Sequence, residues 1–231
     1  MSLRSMFLYG ASCLIIMLFA HEGLCAETGQ VPATPDMPPE LNECLARGNN
    51  AAAQKDFELA IKEFSSCAEK FPKAAPAHFF LGMAYFMKKD MEKAIASLKT
   101  AVKLAPNNLD APAMLGRIYS LDKEKLGVAR ELLERVVEAA PYRHSVRFDL
   151  ARVYAQQGNM LKAAKEFGII FSGEPEFALY HTAYAELLIA AGEKKEARDH
   201  LLRAQALAPN AEAPKKLLKT LDDAPDKPKT P

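Results

Sequence analysis

The sequence predicts an all-α chain of five tandem helix pairs followed by one closing helix. Three observations carry this. Proline recurs at Pro72, Pro106, Pro141, Pro175 and Pro209, at spacings of 34, 35, 34 and 34 residues. Twelve residues before each proline stands an alanine (Ala60, Ala94, Ala129, Ala163, Ala197), and eight before it a large apolar residue (Phe64, Leu98, Leu133, Phe167, Leu201). Earlier in each unit comes a residue with little or no side chain: Gly48, Gly82, Gly116, Ala151 and Ala185. A fixed period of a few tens of residues marks a solenoid of stacked supersecondary units.

The elements follow in chain order. Arg4 is the only charged residue before Glu22, and Met6 to Ala20 is almost wholly apolar. The run is short for a bilayer span and has the form of a secretory leader. We expect residues 1–26 to be a signal peptide cleaved after Ala26; the alternative is an uncleaved anchor. Residues 27–40 hold Pro32, Pro35, Pro38 and Pro39 and read as an extended linker. The units span 41–74, 75–108, 109–143, 144–177 and 178–211. In the second, Phe79 to Phe86 is a dense apolar helix, Lys88-Lys89-Asp90 a polar turn, and Ala94, Ile95, Leu98, Ala101 and Val102 an apolar face at helical spacing. A Gly or Ala on the first helix opposite an Ala on the second lets the axes approach closely. The third unit carries one extra residue, assigned to the Asp122–Gly127 turn. Residues 212–223 read as a capping helix, with Leu217, Leu218 and Leu221 toward the last unit and Lys215, Lys216 and Lys219 toward water. Residues 224–231, with Pro225, Pro228 and Pro231, read as a disordered tail.

Composition narrows the function. Lys+Arg number 30 against Asp+Glu 29, so no surplus cation is present to neutralise a nucleic-acid backbone. No glycine-rich phosphate loop, HExxH, CxxC or GxSxG occurs, and no enzyme activity or cofactor is expected. His78 and His181 both stand at the fourth position of their units and read as structural. His144 and His200 have no Cys, Asp or His at metal-ligand spacing. Cys44 and Cys67 occupy positions four and twenty-seven of the first unit, where an early position on one antiparallel helix lies near a late one on the other. They are a candidate disulfide; two buried thiols are the alternative.

The pattern resembles the tetratricopeptide repeat family. Leu81-Gly82, Tyr85, Ala94, Leu98, Ala101 and Pro106 carry the match in the second unit; the first departs, with Ala51 where an aromatic is usual. The resemblance implies a right-handed α-solenoid with a concave groove lined by the first helices. It places Leu45 and Asn49, then Phe79, Met83 and Phe86, then Arg117, then Phe148 and Arg152, then Glu186 on that groove. Phe79 and Phe86 could equally pack between repeats. Arg117 and Arg152, one repeat apart, would suit a carboxylate. The expected function is an exported, periplasmic scaffold or assembly factor that docks another protein's segment, a component of an envelope complex, with no membrane span once the leader is removed. The alternative is a solenoid that self-associates.

Overall fold

The computed structural model describes residues 38–173 and 177–223. The expected leader, most of the linker, Pro175 and the tail lie outside these residues. Among the described residues there are eleven α-helices and no strand. They are α1 (Pro39–Ala53), α2 (Phe57–Lys70), α3 (Ala75–Met87), α4 (Met91–Leu104), α5 (Asp110–Tyr119), α6 (Leu126–Ala139), α7 (His144–Gln156), α8 (Met160–Gly173), α9 (Ala178–Ala191), α10 (Lys194–Leu207) and α11 (Glu212–Asp223). The chain forms two compact units that divide between Ser145 and Val146.

Local chemistry sets where the helices begin and end. Asp56 accepts a hydrogen bond from the Leu59 N–H at 3.0 Å, and Asp90 accepts one from Lys93 N–H at 3.2 Å. Asn159 does the same for Lys162 N–H at 3.3 Å. Each polar cap stands four residues before the recurring alanine of its second helix and satisfies a backbone donor the helix itself leaves open. One residue before each of these caps the backbone turns left-handed, at φ +62° for Lys55, +68° for Lys89 and +77° for Gly158, and Gly192 does the same, at +86°, before Glu193. Glycine takes that conformation without strain; the two lysines do not. In the third unit the extra residue is accommodated by a 3-10 turn at Lys123–Lys125, held by Asp122 accepting from Glu124 N–H at 3.0 Å. The helix also starts earlier than expected. Pro39, assigned to the linker 27–40, opens α1, because proline at the first helical position gives up a donor that has no partner there.

Within each unit the small residues govern packing. A methyl added at Gly48 would lie 2.4 Å from the Phe64 ring. At Gly82 it would lie 2.7 Å from Leu98 Cγ, and at Gly116 2.7 Å from Leu133 Cγ. These distances are well inside carbon–carbon contact, so the second helix presses on bare first-helix backbone. Phe64, Leu98, Leu133, Phe167 and Leu201 are all buried, as are the five alanines Ala60, Ala94, Ala129, Ala163 and Ala197. Ala151 and Ala185 hold the glycine register in the fourth and fifth repeats and are fully buried.

At the C-terminal end Leu221 is buried, and Leu217 and Leu218 pack with it on Ala185, Leu188, Ala197 and Leu201. Lys216 and Lys219 face water, and Lys215 is half-buried. At the other end, Leu41, Cys44, Leu45, Ala51, Ala60, Phe64 and Cys67 form one core with Ala77 and Ala84 of α3. Phe64 stacks on Phe80 with centroids 5.6 Å apart. Cys44 on α1 and Cys67 on α2 are joined by a disulfide, their Cα atoms 5.8 Å apart.

A 23-residue separation between bridged cysteines removes loop-closure entropy worth about 3 kcal/mol in the chain-entropy model. Thiol titration of denatured, unreduced protein lacking residues 1–26 should therefore find no free thiol. Reduction should raise amide exchange in α1 and α2 before it affects α5 and α6. Two free thiols in the unreduced protein would rule the bridge out.

Candidate functional site

The first helix of each pair offers two kinds of surface position, and the structure separates them. The fifth positions are Leu45, Phe79, Ala113, Phe148 and Thr182; the ninth are Asn49, Met83, Arg117, Arg152 and Glu186. Leu45 is 1% exposed and belongs to the N-terminal core. Phe148 is 9% exposed, its ring 5.1 Å from Tyr180 and 6.0 Å from Phe167. Thr182 is buried, and its hydroxyl donates to the Ala178 carbonyl at 2.7 Å. Leu45 and Phe148, expected on a partner-binding groove, are thus corrected to core residues. The physical reason is neighbour packing: Phe148 is covered by the Tyr180 ring of α9, and Leu45 shares its core with Ala77 and Ala84 of α3.

The ninth positions behave differently. Asn49, Met83 and Arg117, in the first compact unit, are half-buried; Arg152 and Glu186, in the second compact unit, are exposed. Phe79 and Phe86 are half-buried, not open, and Phe79 packs edge-on against Phe80 with centroids 5.4 Å apart. The Arg152 guanidinium lies over the Phe148 ring, 5.8 Å from its centroid, which holds the charge at the surface above an apolar support. Arg117 and Arg152 fall in different compact units, and each is described within its own. In the first compact unit, then, the ninth positions of α1, α3 and α5 carry an amide, a thioether and a guanidinium, all half-buried, with Phe79 and Phe86 four residues before and three after Met83 on α3.

A second register of interest was not legible as a site. Position four of the first helix faces position twenty-three of the second. In the fourth repeat this pair is Arg147 and Glu166, which form a salt bridge with side chains only 10% and 12% exposed. In the fifth it is His181 and His200, whose Nδ1 atoms lie 2.8 Å apart. Both pairs are separated by 19 residues. A contact at that separation is invisible to helical periodicity, which looks three and four residues ahead; only aligning the units would have paired them. His181 is 7% exposed. His78, at the same position of the second repeat, is instead hydrogen-bonded through Nε2 to the Pro72 carbonyl at 3.0 Å.

Among the described residues no group of three or more His, Cys, Asp or Glu is placed to hold a metal ion. No described helix is long and apolar enough to cross a membrane.

Comparison with known proteins agrees with this geometry. A tetratricopeptide repeat family model matches residues 45–108 and 119–169. The mouse BBSome complex member BBS4 is 27% identical over 153 residues, 66% of this chain; the chain spans 29% of that relative's length. The solved structure of PilW, described as a widely conserved type IV pilus biogenesis factor, superposes with TM-score 0.74 at 16% identity, over 81% of this chain and 89% of PilW. That of YrrB, described as a TPR protein with an unusual peptide-binding site, superposes with TM-score 0.61 at 20% identity, over 76% and 90%. At these identities the two structures speak to the fold.

The corrected exposures make a direct prediction. Leu45→Ala empties part of a closed core and should lower stability by about 2–5 kcal/mol in urea denaturation. Glu186→Ala, at an exposed ninth position, should stay within about 0.5 kcal/mol of the parent. Equal effects would erase the distinction between the two registers.

Proposed function

Because the chain belongs to the tetratricopeptide repeat family, and is a protein–protein interaction scaffold built as an α-solenoid, we propose that it is an exported assembly factor for an envelope complex. It docks an extended segment of a partner protein along its first helices. The observation that carries the reading is the half-buried face of α3 that carries Phe79, Met83 and Phe86 at the fifth, ninth and twelfth positions. A methionine side chain adapts to differently shaped apolar side chains. Asn49 and Arg117, at the same register on α1 and α5, supply polar contacts that fix the segment's direction. Docking of this kind concentrates energy in a few apolar anchors, with polar groups around them supplying specificity.

Support for export comes from the sequence of residues 1–26 described above. Support for an assembly role comes from the likeness to PilW, a pilus biogenesis factor, and for peptide docking from YrrB, a repeat protein with a peptide-binding site. Self-association by end-to-end stacking has less support, because α11 covers the apolar end of the last repeat and turns Lys216 and Lys219 to water.

A photo-crosslinking residue placed at Met83, with a control at the 85% exposed Leu161 on α8, tests this in cells. The reading expects a heterologous adduct from position 83 in the envelope fraction and none from position 161. An adduct with a second copy of the chain would favour self-association. Recovery of the protein in the cytoplasm, or equal adducts from both positions, would contradict the proposal.

A further inference from the structure

The fifth repeat holds two histidines where the fourth holds an arginine and a glutamate. His181 is on α9 and His200 on α10, and their Nδ1 atoms face each other at 2.8 Å. Aromatic rings surround them. Phe171 of α8 stacks on His181 with centroids 4.7 Å apart and planes 12° apart, and its ring centroid is 5.1 Å from that of His200. Tyr184 meets His200 edge-on at 4.8 Å. The pair therefore sits where α8, α9 and α10 meet, in a mainly apolar setting.

The hydrogen-bond chemistry of such a pair depends on proton count. A hydrogen bond between two Nδ1 atoms needs one proton between them, with one ring donating and the other accepting. A neutral pair satisfies this. So does a singly charged pair, in which an imidazolium donates to a neutral ring. A doubly charged pair does not: both Nδ1 atoms then carry hydrogen, no acceptor remains, and two cations face each other among aromatic rings. We propose that this pair is an acid-sensitive latch, which holds α9 against α10 at neutral pH and releases the last repeat when both imidazoles are charged.

On α10, Asp199 is adjacent to His200 in sequence and favours its charged form, but less than burial and His181 oppose it. Glu196, also on α10, acts on Tyr184, whose phenol is pushed up chiefly by its own burial. The ring that α8 contributes, Phe171, carries no charge, and the Arg198–Asp222 pair ties α10 to α11 at the exposed surface. The net result lowers the His200 pKa below its ordinary value of 6.5, with burial the largest cause and the neighbouring His181 next. A histidine whose folded pKa is depressed binds fewer protons folded than unfolded. Its stabilising contribution is therefore present above about pH 6.5 and is lost as pH falls below that value toward the folded pKa.

The position gives the latch a consequence. The apolar core of the last repeat, Ala185, Leu188, Ala197, Leu201 and Leu221, lies along the same α9–α10 contact, and α11 rests on it. Separation of the imidazoles would loosen this seam and leave the packing of the first compact unit untouched. An exported repeat protein meets ambient pH, so this inference adds regulation to the scaffold; it does not depend on which partner the scaffold binds.

Hydrogen exchange on the whole chain, corrected for intrinsic rates, tests it at pH 7.5 and pH 5.0. Amides in α9 and α10 should lose at least tenfold protection at the lower pH, while those in α3 to α6 hold theirs. His200→Asn keeps a neutral hydrogen-bonding group near the Nδ1 position and should abolish the pH response. Unchanged protection of α9 and α10 in the parent would overturn the latch, as would the same tenfold loss in the variant. If the variant does not fold, NMR titration of the parent's imidazoles decides. His200 must take up its proton below pH 6.5; titration of His200 at or above that value would overturn the proposal.

Discussion

The contact on which the rest of the structure depends is the seating of a large second-helix side chain against bare backbone of the first helix. Phe64 lies over Gly48, Leu98 over Gly82 and Leu133 over Gly116, each at a distance that leaves no room for a methyl group. Two helices brought this close bury the alanines beside the contact almost completely, which removes apolar surface from water and fixes the crossing of each pair. The polar turns and aspartate caps then follow from geometry, because the chain must reverse within a few residues to bring the second helix back. A rigid pair displays its outward positions in a set orientation. This is the property a scaffold needs, since docking energy is lost when the surface must order itself on binding.

The same account explains why some functional expectations failed while the architecture was legible. Proline, alanine and glycine repeat because each answers a steric demand that recurs in every unit, and a steric demand of that kind leaves the same residue type at the same spacing. The exposure of a first-helix side chain answers a different question, namely what its neighbours place over it. Leu45 and Asn49 are on the same helix four residues apart, yet only Leu45 shares the buried core with Ala77 and Ala84. Phe148 and Arg152 repeat that contrast, with the Tyr180 ring against Phe148 and solvent around Arg152. No period within a helix encodes the identity of the covering residue. Pro39 shows a milder form of the limit: proline density pointed to an extended segment, but the last proline of the run occupies the one helical position that tolerates it.

The cross-helix pairs at positions four and twenty-three show how a repeat array diversifies on a constant frame. The fourth repeat uses Arg147 and Glu166, opposite charges that satisfy one another in a nearly closed site. The fifth uses two imidazoles, which satisfy one another only while at least one is neutral. In the first repeat, position four carries Cys44, which reaches one helical turn further along α2 to Cys67. Each ties the first helix of its repeat to the second. They differ in chemistry: a covalent bond between the cysteines, a hydrogen bond between two imidazoles, and an ion pair between the arginine and the glutamate.

A double-mutant cycle on Gly82 and Leu98 tests the central claim most directly. Gly82→Ala alone should destabilise by about 1–3 kcal/mol through overpacking, despite the better helix propensity of alanine. Leu98→Ala alone should cost about 2–5 kcal/mol through the cavity it leaves. In the double variant the new methyl occupies space that Leu98 vacated, so the combined loss should fall short of the sum by at least about 1 kcal/mol. Additivity to within about 0.3–0.5 kcal/mol would mean that the two residues do not press on each other, and would contradict the account.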